Sequence, residues 1–141
     1  MARLTDLARP IALAAALTAS GCATAPDMST GMTVVTVEAG YRERILLSPG
    51  HVLTVRIEDV SLADAPATVL AETTEPLDGR APPYKVTLGF PTSQIDPRHT
   101  YAARASIHDA DGKLVFVTTE RHAVLTGDAP AEARITMQGG R

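Results

Sequence analysis

Hydrophobic and polar positions alternate along most of the chain. In "VLTVRIED" Leu53, Val55 and Ile57 alternate with Thr54, Arg56 and Glu58. Successive side chains of an extended strand point to opposite faces, so this spacing predicts one apolar face and one wet face. It places Glu58 on the wet face beside Arg56. The same period recurs in "YKVTLGF" through Tyr84, Val86, Leu88 and Phe90. It recurs again in "YAARASIH" through Tyr101, Ala103, Ala105 and Ile107, and in "ARITM" through Ala133, Ile135 and Met137. "MTVVTVE" is weaker in period but rich in β-branched residues. "LVFVTT", residues 114–119, is nearly continuous and predicts a strand buried on both faces. "SLADAPATVLAETTE" is rich enough in alanine for a helix. Pro66 and the β-branched Thr68, Val69, Thr73 and Thr74 argue instead for a strand near residues 67–73.

Breakers separate these runs. Pro49-Gly50 suits a type II turn, and "HDADGKL" predicts a hairpin turn built on Asp-Gly. Past the first 21 residues, the prolines fall outside the cores of the predicted strands, as expected of a residue that cannot donate to a ladder. Seven or eight short strands with single-face alternation predict an all-β fold, mostly antiparallel. Two sheets packed face to face make a β-sandwich, with a small barrel as the rival arrangement.

The N-terminus is of another kind. Arg3 and Arg9 precede an apolar run over residues 11–19, about nine residues long, far short of the ~20 that a spanning helix needs. Small residues Ala19, Ser20 and Gly21 follow, and then Cys22, the one cysteine of the chain. These features predict a secretory signal peptide. "LTASGC" resembles a bacterial lipobox, with Ala19 where leucine is usual, and implies cleavage before Cys22 and lipidation of its thiol. An ordinary signal cut near residues 23–25 is the alternative. The organisation expected is a lipoprotein signal peptide at 1–21, a lipidated polar tether at 22–32, and a β-sandwich domain at 33–141. By resemblance to enterobacterial sorting, Ala23 rather than Asp after the cysteine favours the outer membrane.

Removing residues 1–21 leaves 11 Lys and Arg against 15 Asp and Glu, a net charge of −4. Only Lys85 and Lys113 are lysines. Nucleic-acid binding needs clustered cations to neutralise phosphates, so none is expected.

The residues that carry chemistry form no recognisable constellation. His51, His99, His108 and His122 lack the i, i+4 spacing of a helical zinc site. Asp109–Gly112 fails as a calcium loop, because Ile107 and Thr118 would stand at its first and twelfth positions. There is no Gly-x-Ser-x-Gly elbow, and acylation would consume the one thiol. Glu58 and Asp59 are neighbours and, in a strand, point to opposite faces. No metal, cofactor or catalytic group is expected, and no enzymatic activity.

"YRERILLSPGHVLTVRIEDVSLADAPATVLAETTEP" followed by "IDPRHTYAARASIHDADGKLVFVTTERHAVLT" resembles the YbaY/YscW family of envelope lipoproteins. The parts that carry the resemblance are residues 56–61, "ADAPA" at 63–67 and "IDPRHTYAARASI" at 95–107. The resemblance implies an immunoglobulin-like β-sandwich on a lipid anchor. One branch of that family comprises type III secretion lipoprotein chaperones, or pilotins, which bind a secretin. The function expected is therefore a non-enzymatic lipoprotein, anchored in the outer membrane and facing the periplasm. It would present its domain to an envelope protein partner. A small-molecule or envelope-glycan binding module is the alternative, and a hydrolase built from scattered Asp, Glu and His a further one. The loop "IDPRHTY" bears the candidate partner-binding residues Asp96, Arg98 and His99. The structural alternative has Asp96 accepting backbone N–H bonds in a turn and Tyr101 packing as the tyrosine of an immunoglobulin-type corner.

Overall fold

A computed structural model describes residues 31–140. The expected signal peptide and Cys22, with most of the expected tether, lie outside the described residues. The eight strands are β1 (Met32–Tyr41), β2 (Val52–Asp59), β3 (Thr68–Pro76), β4 (Tyr84–Pro91), β5 (Tyr101–His108), β6 (Leu114–Val117), β7 (His122–Val124) and β8 (Glu132–Gly139). A 3-10 turn, Thr92–Gln94, follows β4. The fold is all-β, with the strand number that the alternation predicts.

The strands pair in the order β3-β2-β5-β6-β8-β1-β4, and β7 pairs with β5 beyond β6. Every pair is antiparallel except β1 with β8, which is parallel. Two layers result, β4-β1-β8 and β3-β2-β5 with β6 and β7. They join at β8, which pairs with β1 up to Met137 and then with β6 through Gln138 and Gly139. At the other side β3 and β4 approach without laddering, so the sheet is nearly closed.

Alternating side chains of both layers merge into one core. Val35, Val37 and Ala39 of β1, Leu53, Val55 and Ile57 of β2, and Ile107 of β5 are completely buried. Each valine, leucine or isoleucine among them contributes about 1.5–3 kcal/mol by leaving water. All five aromatic residues lie inside, and Tyr41 stacks on Phe116 with ring centroids 4.4 Å apart. Leu47 and Leu77, from the loops after β1 and β3, close the core at one pole.

Two turns follow their sequence. Gly50 has φ of 100°, the left-handed value that a type II turn demands at its third residue. In the β5–β6 hairpin, Asp109 Oδ1 accepts the Asp111 and Lys113 N–H groups, each at 2.9 Å.

Two expectations fail. β6 is not buried on both faces: Phe116 points into the core, Val115 and Val117 are half-buried, and the register with β5 slips between Ile107 and His108, which sets the exposed Leu114 opposite His108. Glu58 is not wet. It is 8% exposed and pairs with Arg104 at 3.1 Å. Glu58 stands opposite Ala102 in β5, so the long Arg104 side chain reaches it diagonally from two residues along. The pairing of β2 with β3 also slips between Ile57 and Glu58, as at a β-bulge. Arg56 pairs with Glu72 across β3 instead. Arg56 and Arg104 stand directly opposite each other, and each is neutralised by its own glutamate.

β6 and β7 share one edge of β5 but do not meet, so the rung at Ala105 is only half made by backbone: the Thr118 N–H donates to the Ala105 carbonyl at 2.9 Å, and the Ala105 N–H needs another acceptor. The Thr118 side chain supplies it. Its hydroxyl accepts the Ala105 N–H at 2.8 Å and donates to the Ala105 carbonyl at 2.9 Å. Thr126 does the same beyond β7, where its Oγ1 accepts the Tyr101 N–H at 2.8 Å. Thr118→Val keeps the shape but orphans the buried Ala105 N–H. It should cost about 1–3 kcal/mol, read as a lower urea midpoint at unchanged m-value.

Candidate functional site

Strand directions gather three loops at one pole. Asp59 at the end of β2 is opposite both Thr68 and Tyr101, and Tyr101 is opposite Val124. The β2–β3 loop, the β4–β5 loop and the β7–β8 loop therefore cluster together. The start of β1 is there too, with Met32 opposite Pro91. All three sequence-predicted residues, Asp96, Arg98 and His99, sit in the β4–β5 loop at this pole.

Tyr101 fixes that loop. The side chain is 1% exposed, and its hydroxyl accepts the Asp96 N–H at 2.7 Å. This is the geometry of a tyrosine corner, a buried ring at a strand start whose hydroxyl reaches backbone a few residues upstream. Asp96 Oδ1 accepts the Arg98 N–H at 2.9 Å, closing a turn. The same carboxylate takes a two-point fork from the Arg98 guanidinium, at 3.1 and 2.7 Å. These bonds hold the Asp96 carboxyl well below the usual carboxylate range. Arg98 nevertheless remains 85% exposed at the side chain.

His99 turns away from Arg98 to another element. Its Nδ1 lies 2.6 Å from Oδ2 of Asp59. The other oxygen of Asp59 accepts the Ser61 hydroxyl at 2.5 Å and the Ser61 N–H at 3.0 Å. Ser61 Oγ in turn accepts the Thr100 N–H at 2.9 Å, and the Val60 N–H donates to the Thr100 carbonyl at 2.8 Å. The two loops are thus stitched together across about forty positions of sequence. The Ser61 hydroxyl, followed by its N–H and by His99, holds the Asp59 carboxyl below its ordinary value, against a smaller opposing effect of burial. Ser61, His99 and Asp59 are the residue types of a catalytic triad, but their wiring differs. The carboxylate stands between serine and histidine and accepts the serine proton-bearing hydroxyl itself. In a triad the histidine stands in the middle and receives that proton.

Beside this network lies a cleft of about 230 Å³, lined by Asp59, Ser61, Leu62, Pro66, Thr68 and His99. Leu62 at its mouth is 73% exposed. A larger groove of about 760 Å³ runs between β7 and β8, lined by His122, Glu120, Arg134 and Thr136 among others. His122 Nε2 is buried there without a hydrogen-bond partner. The remaining histidines stay apart: His51 Nδ1 bonds the Ser48 carbonyl oxygen at 2.8 Å, and His108 is half-buried on β5. Among the described residues no three or more His, Cys, Asp or Glu side chains converge on a metal-sized site.

Sequence reasoning found the β4–β5 loop and missed its partners Asp59 and Ser61. The local signal was present: Asp-x-Ser lets the carboxylate accept the N–H two residues on, as in an Asx-turn. Nothing local says that His99 closes on it.

Tyr101→Phe should destabilise the domain by about 1 kcal/mol and raise amide exchange through residues 92–100, because the half-buried Asp96 N–H loses its acceptor. Asp59 is depressed in the folded state, so the unfolded chain binds more protons as pH falls. Its contribution is complete above the unfolded carboxyl value of about 4 and is lost as pH drops through the folded value. Urea midpoints measured from pH 6 to pH 2 should fall less steeply in Asp59→Asn than in the parent.

Three comparisons place the domain. The model of the type III secretion system lipoprotein chaperone family (YscW) matches residues 30–137. The uncharacterized lipoprotein YbaY of Escherichia coli strain K12 is 39% identical over 77 residues, which span 55% of this chain and 40% of that protein. Among solved structures, an alternative pilotin from the type II secretion system of Vibrio cholerae superposes with a TM-score of 0.75 at 36% identity, covering 79% of this chain and 99% of that one. With the family pattern running from the first residue of β1 into the last strand, the chain belongs to the YscW lipoprotein chaperone family.

Proposed function

We propose that the protein is a non-enzymatic assembly module, lipidated at Cys22, held in the outer membrane and facing the periplasm. There it binds a protein component of an envelope complex in the manner of a pilotin. The observation that supports this most is family membership across the whole β domain. The lipobox-like "LTASGC" and Ala23 after the cysteine supply the anchor and its sorting. Two or three acyl chains on Cys22 make attachment stable where one would be marginal, since each buried CH₂ contributes about 0.8 kcal/mol.

The partner-binding rim is the β4–β5 loop with Arg98 and His99, shaped by Asp96. A rigid, pre-ordered loop loses little entropy on docking, and an exposed guanidinium held by its own carboxylate offers donors in a fixed geometry. Binding of a glycan is less well supported, because sugar platforms are built from exposed aromatics and all five aromatics here are in the core.

Cys22→Ala should move the protein from the membrane to the soluble fraction. A photo-crosslinking residue placed at Gln94, on the same loop, should form an adduct with an envelope protein in the anchored copy. Arg98→Glu should weaken that adduct about tenfold, equivalent to roughly 1.4 kcal/mol. An adduct no stronger than that of the Cys22→Ala copy, or one untouched by Arg98→Glu, would contradict the rim.

A further inference from the structure

The loop pole that carries the candidate rim is also the pole from which the N-terminal segment departs. The backbone N–H of Thr92 donates to the carbonyl of Gly31 at 2.7 Å, and Thr33 Oγ1 lies 2.8 Å from Thr92 Oγ1. Thr92 opens the same loop that holds Asp96, Arg98 and His99. The exit of the chain is therefore tied to the rim loop itself.

Nine residue steps separate Cys22 from Gly31. Fully extended, they span at most about 30 Å. β1 is 10 residues long, so at about 3.3 Å per residue the opposite pole lies some 33 Å farther along that strand. A domain tied this way presents its loop pole to the bilayer and holds the other pole out.

The most exposed large apolar side chain among the described residues is on the presented pole. Leu62 is 73% exposed, in the β2–β3 loop "SLADAPA". Around it stand Ala63, Ala65, Pro66 and Ala67, which are small and apolar. Met32 and Val34, at the start of β1, are also more than half exposed. Near this surface Asp59 is matched by His99 and Asp96 by Arg98, while Arg121, which lines a cleft with Leu62 and Ala65, has no carboxylate partner among the described pairs and can meet a lipid phosphate. Asp64 is the one unmatched charge of the β2–β3 loop, among the described pairs. A surface with few unpaired charges, one of them a cation, and an apolar side chain at its tip loses little by meeting lipid headgroups. The short connection adds a high local concentration, so a contact too weak to bind membranes alone becomes populated.

We infer that the β2–β3 loop, with Leu62 at its tip, contacts the bilayer surface and sets the orientation of the domain on the membrane. The inference rests on the lipid anchor at Cys22. It implies that the rim receives its partner beside the membrane rather than in the open periplasm.

The chain contains no tryptophan, so one substitution makes a reporter. The mature lipidated protein is reconstituted into phosphatidylethanolamine–phosphatidylglycerol vesicles as Leu62→Trp and, separately, as Leu46→Trp. Leu46 is 65% exposed in the β1–β2 loop at the far pole. Expected is a blue-shifted emission for Leu62→Trp, with loss of fluorescence in vesicles whose acyl chains are brominated. Leu46→Trp should show neither. Vesicle flotation in the same samples tests the anchor separately. If the protein floats and the two reporters behave alike, the lipid contact is wrong and the anchor stands. If the protein does not float, the anchor itself is wrong and the inference falls with it. A blue shift of Leu62→Trp that needs an added envelope protein would make the loop a protein-docking surface and overturn the lipid contact.

Discussion

A sheet that curls until its ends nearly meet must satisfy its backbone wherever a strand stops. That constraint organises this domain. β5 is the strand that all else leans on, with β2 along one edge and β6 and β7 sharing the other. The two partners leave a break, and an unpaired N–H buried there would cost about 1–3 kcal/mol, more than the net worth of a typical hydrogen bond. Threonine side chains at 118 and 126 supply the missing acceptors. The break is also where β8 can swing from one layer to the other, pairing with β1 and then with β6. Closure, core and loop positions all follow from keeping that strand edge satisfied.

The loop pole obeys the same rule with side chains instead of ladders. The polar groups that stitch the loops have partners close at hand: Asp96 has Arg98, Asp59 has Ser61 and His99, and the Asp96 N–H has the buried Tyr101 hydroxyl. Such a network resists deformation, because moving one loop breaks bonds in two. Rigidity of this kind suits recognition, in which pre-ordered groups meet a partner. It does not resemble a reactive site, where a nucleophile is left facing its base. Ser61 spends its proton on the carboxylate, and the arrangement reads as a clamp between loops.

Location then carries much of the functional argument. The family ties the domain to lipoprotein chaperones of secretion systems, and the fold is that of a pilotin. The bond from the Thr92 N–H to the Gly31 carbonyl makes the position of any N-terminal anchor matter for the loops. If an N-terminal lipid holds it, a module whose candidate rim lies at that same end samples a thin layer rather than a volume. Within that layer modest contacts suffice.

Much of this was written in the sequence. Two-residue alternation placed β2, β4, β5 and β8, since the pleat alone decides which side chains share a face. Pro49-Gly50 and Asp109–Gly112 set their turns through local backbone chemistry, and the tyrosine corner was foreshadowed by its position in "IDPRHTY". Cys22 and its setting are legible only as sequence. Other features depend on residues far apart in the chain. Whether β6 is covered depends on what packs outside it, and Glu58 is buried because Arg104 reaches it from β5. The parallel meeting of the first and last strands, and the closing of His99 on Asp59, need the completed curl of the sheet. Local pattern fixes the direction of each side chain; only the assembled layers decide what it meets.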